Sequence, residues 1–162
     1  MEPRAQGYWV ILLSFFIAYL LAIVPFPEWA LNYRPQWVLI VLIYWIMALP
    51  YRVGIGFAWV AGLLLDILEG SLLGMHALAF AVTAYMTLSL HQRLRMFSSV
   101  QQSALVLALI GLYMMIVYWI KIITNQTVAS GLLFLLGALS SAFLWPWLFV
   151  FLRQMRLSFG VR

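Results

Sequence analysis

The chain contains no cysteine, which excludes disulfide frameworks and thiolate metal centres. Charge is almost as scarce. Charged residues make up 8% of the 162 positions, where a globular protein carries about 25%. Asp66 is the sole aspartate, so a protease built on two intramembrane aspartates is ruled out. A Gly-x-Ser-x-Gly elbow, a phosphate-binding loop and a dinucleotide fingerprint are all missing, and no serine stands in an evident triad setting. Linkers, internal repeats and low-complexity stretches are missing too. These absences lead to the expectation of a non-catalytic protein with no metal and no cofactor.

What is present is apolar surface. Apolar residues form 67% of the sequence, too many for a water-soluble fold of this length to cover with polar groups. Lipid removes that difficulty, because it accepts apolar side chains on the outside of a helix bundle. The formal net charge is +5, yet the basic residues stand singly or in pairs between apolar runs. That pattern is a membrane topology signal rather than a nucleic-acid footprint. Arg4 precedes an apolar stretch over 8–24 that is longer than a signal-peptide core and lacks an Ala-x-Ala-like site, so it reads as an uncleaved first span.

Six apolar runs predict an all-α integral membrane protein, one transmembrane domain over 1–162 with spans at roughly 8–24, 36–49, 53–68, 71–90, 103–123 and 131–152. A spanning helix takes about 17–25 residues, so the second and third runs are short, and Pro50-Tyr51-Arg52 divides them. With both termini cytoplasmic, the inner loops hold Arg4, Arg52, Arg93, Arg95, Arg153, Arg156 and Arg162, and the outer loops hold Arg34 and Lys121. That asymmetry follows the positive-inside rule. Fusing the second and third runs into one helix gives five spans with a similar charge balance. It would also put Arg52 near mid-membrane, at about 2.5–3.5 kcal/mol on insertion scales, with Pro50 breaking the backbone ladder beside it. Six spans is the better reading. Aromatic residues such as Trp9, Trp37, Tyr51 and Trp119 fall near span ends, the depth that amphipathic rings prefer.

The segment from Gly62 to Gly74 is the most informative. Gly62, Asp66 and Gly70 recur every four residues, a spacing that puts small residues on one helix side and lets another helix approach closely. A carboxylate near the outer end of a span needs a partner or a wet niche. Asp66 is therefore either a proton or ligand site, or an acceptor for the start of the next helix around Ser71 and Leu72. The second use is the commoner one for such a residue. Glu69 reads as a solvated loop residue at the outer surface. His76 reads as packed and hydrogen-bonded rather than metal-bound, and His91 as interfacial. Arg34-Pro35 opens the second span, where proline suits the first helical turn and Arg34 either anchors the interface or meets an acidic group. Gly54 and Gly56 are expected to allow close approach at the start of the third span. Trp45 and Trp59 are expected inside the bundle, and Pro146 at a kink in the sixth span.

Several short motifs occur in one order along nearly the whole chain: Arg34-Pro-Gln-Trp-Val-Leu, Tyr44-Trp-Ile-Met-Ala-Leu-Pro-Tyr-Arg52-Val, the run Gly62 to Gly74, and Leu144-Trp-Pro-Trp. In these the chain resembles the rod shape-determining protein MreD family of Gram-negative bacteria. The resemblance implies a non-catalytic inner-membrane component of the cell-wall elongation complex, beside an MreC-like bitopic protein, an MreB-like filament and the elongation synthase and transpeptidase. It also implies a six-helix transmembrane bundle resembling the substrate-binding membrane components of vitamin transporters. Carried over residue by residue, the family pattern points to Arg34, Pro35, Gly62, Asp66, Gly70 and Gly74 as partner-binding or structural positions. Two further classes remain open from the residues alone: a subunit that binds a small ligand or lipid, and, as a minor case, a small intramembrane enzyme.

Overall fold

Apolar runs form the helices here, and among the described residues glycines mark the break between the third and fourth helices and a serine cap opens the fifth. A computed structural model describes residues 8–24, 27, 36–50, 53–70, 72–126 and 136–158. Among these are six helices: α1 (Tyr8–Ile23), α2 (Trp37–Ala48), α3 (Ile55–Glu69), α4 (Met75–Met96), α5 (Ser99–Ile123) and α6 (Leu136–Ser158). Two of them, α5 and α6, are both long and apolar enough to cross a membrane, and α1 and α2 are shorter apolar helices.

The central element is α2. Every residue from Val38 to Ala48 is buried, as expected of a helix that is hydrophobic all round. It packs against α1, α4, α5 and α6. Both of its ends are closed by side chains from other helices. At the start, the Gln36 amide donates to Ser141 Oγ of α6 at 2.9 Å. At the finish, Arg95 of α4 donates from Nε to the Met47 carbonyl at 2.7 Å and from Nη2 to the Ala48 carbonyl at 2.8 Å. A cation at a helix C-terminus satisfies orphan carbonyls and complements the helix dipole. Midway, Trp45 Nε1 donates to Ser14 Oγ of α1 at 2.8 Å, and Ser14 in turn donates to the Ile11 carbonyl.

The remaining helices surround this core. α3 packs chiefly on α4, and α5 lies between α4 and α6. Outward faces are apolar: Leu12, Phe16, Val60, Ile67, Phe143 and Phe151 are all well exposed. Polar side chains point the other way, with Ser14, Asp66, His76, Thr83, Gln102 and Ser141 buried. A protein that meets water does not leave so many large apolar side chains outside.

Several helix ends differ from the apolar runs. α5 begins at Ser99, four residues before the expected 103, because Ser98 and Gln101 form a capping box that fixes the start with polar residues. α4 begins at Met75 rather than 71 and continues to Met96; α6 continues to Ser158. Hydropathy marks where apolar solvent ends, and a helix of arginine and glutamine continues past that point. Trp59 lies 49% exposed on the outer side of α3, not inside the bundle. A β-carbon added at Gly54 or Gly56 would meet nothing within 4 Å among the described residues. Pro146 sits within α6, which runs unbroken through it. Arg34, Pro35, Arg52, Ser71 and the expected start of the sixth span at 131 lie outside the described residues.

Candidate functional site: the joint between α3 and α4

Glycine builds this joint. A β-carbon on Gly62 would lie 2.5 Å from the Ala77 Cα and 2.6 Å from both the Ala77 amide nitrogen and the His76 carbonyl oxygen. No side chain fits there, so the backbone of α3 rests on the first turn of α4. One turn further along α3, Asp66 faces the same turn and is 1% exposed. Its Oδ1 accepts from the His76 amide at 2.9 Å and lies 2.7 Å from His76 Nδ1. Its Oδ2 accepts from the Gly74 amide at 2.9 Å and from the Ala77 amide at 3.4 Å. Each carboxylate oxygen thus accepts from at least one backbone amide of the α4 first turn, and the His76 ring lies within hydrogen-bond distance of Oδ1.

The sequence left Asp66 open between a ligand site and an acceptor near Ser71 and Leu72. The donors are Gly74, His76 and Ala77, a few residues further on. Gly74 occupies the N-cap position of α4 with φ 98° and has no side chain to cap with. The carboxylate arrives from the preceding helix instead and serves the orphan amides of the first turn. Gly70, at φ 66°, ends α3 in the left-handed conformation and returns its amide to the Asp66 and Ile67 carbonyls, the usual use of glycine at a helix end. Gly62, Asp66, Gly70 and Gly74 thus belong to one structural unit, while Arg34 and Pro35 lie outside the described residues.

Three neighbours were less legible. Glu69 is the last residue of α3 rather than a loop residue, and its carboxylate lies 3.6 Å from His76 Nε2. His76 therefore stands between two carboxylates, with the Tyr113 ring of α5 6.1 Å away. Tyr19 of α1 donates its hydroxyl to the Ala61 carbonyl, next to Gly62. Among the described residues, no group of three or more histidine and carboxylate residues is arranged to hold a metal ion. Both Asp66 oxygens accept from backbone amides of the first turn of α4, and Oδ1 also meets the His76 ring. Trp45 is fully buried and hydrogen-bonded to Ser14, which makes it part of the packed core rather than the wall of a ligand cage.

The match to a family model described as rod shape-determining protein MreD runs over residues 3–155. The chain belongs to the MreD family. The rod shape-determining protein MreD of Haemophilus influenzae (strain ATCC 51907 / DSM 11121 / KW20 / Rd) is 34% identical over 157 residues, covering 96% of this chain and 96% of that protein. No solved structure matches. The MreD match covers α1 to α5 and most of α6, so the α3–α4 joint sits inside the family's extent rather than in an appended segment.

Proposed function

We propose that the chain is a multi-pass protein of the bacterial inner membrane, crossing it six times with both termini cytoplasmic. There it serves cell-wall elongation and rod shape without catalysing a reaction. In this reading it holds membrane helices of its partners, first that of an MreC-like bitopic protein. Through that protein it joins an MreB-like filament and the elongation synthase and transpeptidase. The observation that carries the proposal is family membership over nearly the whole chain. It is supported by an exterior of large apolar side chains around a core that encloses its polar groups, the arrangement that favours work by packing in the membrane plane. Gly62, Asp66, Gly70 and Gly74 contribute indirectly, by fixing how α3 sits on α4 and so shaping the outer face of α3.

The test is cell shape on depletion of the protein in its own host. Rods that round up and swell while division continues support the proposal, and rods that stay rod-shaped at normal growth rate overturn it. Co-purification of the bitopic partner with Asp66→Leu/Gly70→Leu then addresses the joint. An undiminished complex would remove these residues from docking.

A further inference from the structure

At the opposite end of the bundle from the Asp66 joint, the C-terminal ends of α2, α4 and α6 and the start of α5 border a half-open cavity of about 580 Å³. Three arginines line it: Arg95, Arg153 and Arg156. Arg95 is tied to the end of α2 through two carbonyls. Arg153 and Arg156 make no hydrogen bond or ion pair with any described residue. The described carboxylates, Asp66 and Glu69, lie at the other end of α3. Gln102 also lines the cavity, but both ends of its amide are engaged: Nε2 donates to the Leu94 carbonyl, and Oε1 accepts from Trp145 Nε1.

The telling group is Tyr44. Its side chain lines the same cavity, the residue is 1% exposed, and its buried hydroxyl has no hydrogen-bond partner among the described residues. A buried hydroxyl without a partner is destabilising by about 1–3 kcal/mol. Arginines at an inner membrane boundary are ordinary topology signals, but topology needs neither a cavity nor an orphan hydroxyl behind it. The two arginines offer only donors, and the Tyr44 hydroxyl has a donor to add. Guanidinium forks match the oxygens of a phosphate two at a time. The rest of the wall, including Leu49, Phe149 and Leu157, is apolar, which suits the glycerol region of a lipid better than a solvated ion. Basic pockets between membrane helices on the cytoplasmic side take anionic headgroups by this chemistry.

We propose that this cavity binds a phosphate-bearing anion, supplied by the headgroup of an anionic phospholipid. Arg153 and Arg156 hold the phosphate oxygens, and the Tyr44 hydroxyl donates to one of them. The proposal rests on the bundle spanning a bilayer and on no other part of the shape-determination reading.

The full chain, purified in a non-ionic detergent, is titrated with phosphatidylglycerol, with phosphatidylcholine and with inorganic phosphate, and its melting is followed by tryptophan fluorescence. Phosphatidylglycerol is expected to raise Tm, and phosphatidylcholine to leave it near its starting value. Tyr44→Phe and Arg153→Gln/Arg156→Gln are each expected to weaken the apparent affinity for phosphatidylglycerol by about tenfold or more. Tyr44→Phe should melt no lower than the unaltered chain without lipid, because it removes an unpartnered hydroxyl, so it decides the matter even if the double variant folds poorly. Inorganic phosphate that reproduces the shift and competes with the lipid supports the site and makes soluble phosphate its source. Equal shifts with both lipids, or a phosphatidylglycerol shift unchanged in the variants, would overturn the site and leave the shape-determination reading standing. A chain that stays soluble without detergent would instead sink the bilayer reading itself.

Discussion

Gly62 of α3 lies so close to Ala77 of α4 that a β-carbon at position 62 would sit 2.5 Å from the Ala77 Cα. The obstacle is backbone on both sides, which has no rotamer to change. Gly62→Ala is therefore expected to destabilise the protein by about 1–3 kcal/mol, the range for overpacking, and Gly62→Leu to destabilise it more. Gly111, within α5, has room for a β-carbon among the described residues, and Gly111→Ala should stabilise by up to about 1 kcal/mol through helix propensity. Melting of the two alanine variants in detergent checks the pair. Equal effects of one sign would mean that the close approach at Gly62 is absent.

Asp66 and His76 should be energetically coupled. Asp66→Leu leaves the amides of Gly74, His76 and Ala77 without an acceptor, at about 1–3 kcal/mol for each buried donor left unsatisfied. Asp66→Asn, which retains one carbonyl oxygen, should cost less. A double-mutant cycle of Asp66→Asn with His76→Ala is expected to give an interaction of about 0.5–3 kcal/mol. Strict additivity would show that the 2.7 Å contact contributes nothing.

The turn between α3 and α4 holds two glycines at positive φ, 66° at Gly70 and 98° at Gly74. The first angle is within reach of asparagine, and the second lies beyond the ordinary left-handed well. Gly70→Asn should retain nearly full thermal stability, while Gly74→Asn should lose about 1–3 kcal/mol. The reverse order of melting temperatures would contradict these backbone angles.

Ser14 and Trp45 offer a rescue experiment. Ser14→Ala removes the acceptor of the buried indole N–H and should cost about 1–3 kcal/mol. Trp45→Phe, on its own or added to Ser14→Ala, removes that N–H but also leaves a gap. Its cost should therefore be smaller in the Ser14→Ala background than in the unaltered chain. Equal costs in both backgrounds would mean that the hydrogen bond adds no stability.

The helices were legible because unbroken apolar runs announce them, and so was a close helix approach at Gly62, through the four-residue spacing of small residues. The particular donors to Asp66 were not. They depend on where α4 begins, and the apolar run extends back through Leu72 and Leu73 while the helix starts only at Met75. Trp59 was expected inside the bundle, because hydropathy cannot tell an apolar side chain facing lipid from one facing another helix. The arginine-lined cavity escaped notice for a different reason: Tyr44, Arg95, Arg153 and Arg156 come together only through packing between helices distant in the sequence. In the sequence alone, those arginines are fully accounted for as topology signals.

The buried position of α2 also constrains the order in which the chain becomes a finished protein. Its first amide is received by Ser141, 105 residues later, and its last carbonyls by Arg95, 47 and 48 residues later. During synthesis the second helix is therefore made long before either of its end partners exists. The carbonyls at its end find their partner when α4 is made, and the amide at its start only when α6 is made. Contacts this distant along the chain slow folding and extend the life of incomplete states. A chain truncated before α6 would thus lack the Ser141 acceptor and leave the start of α2 without it.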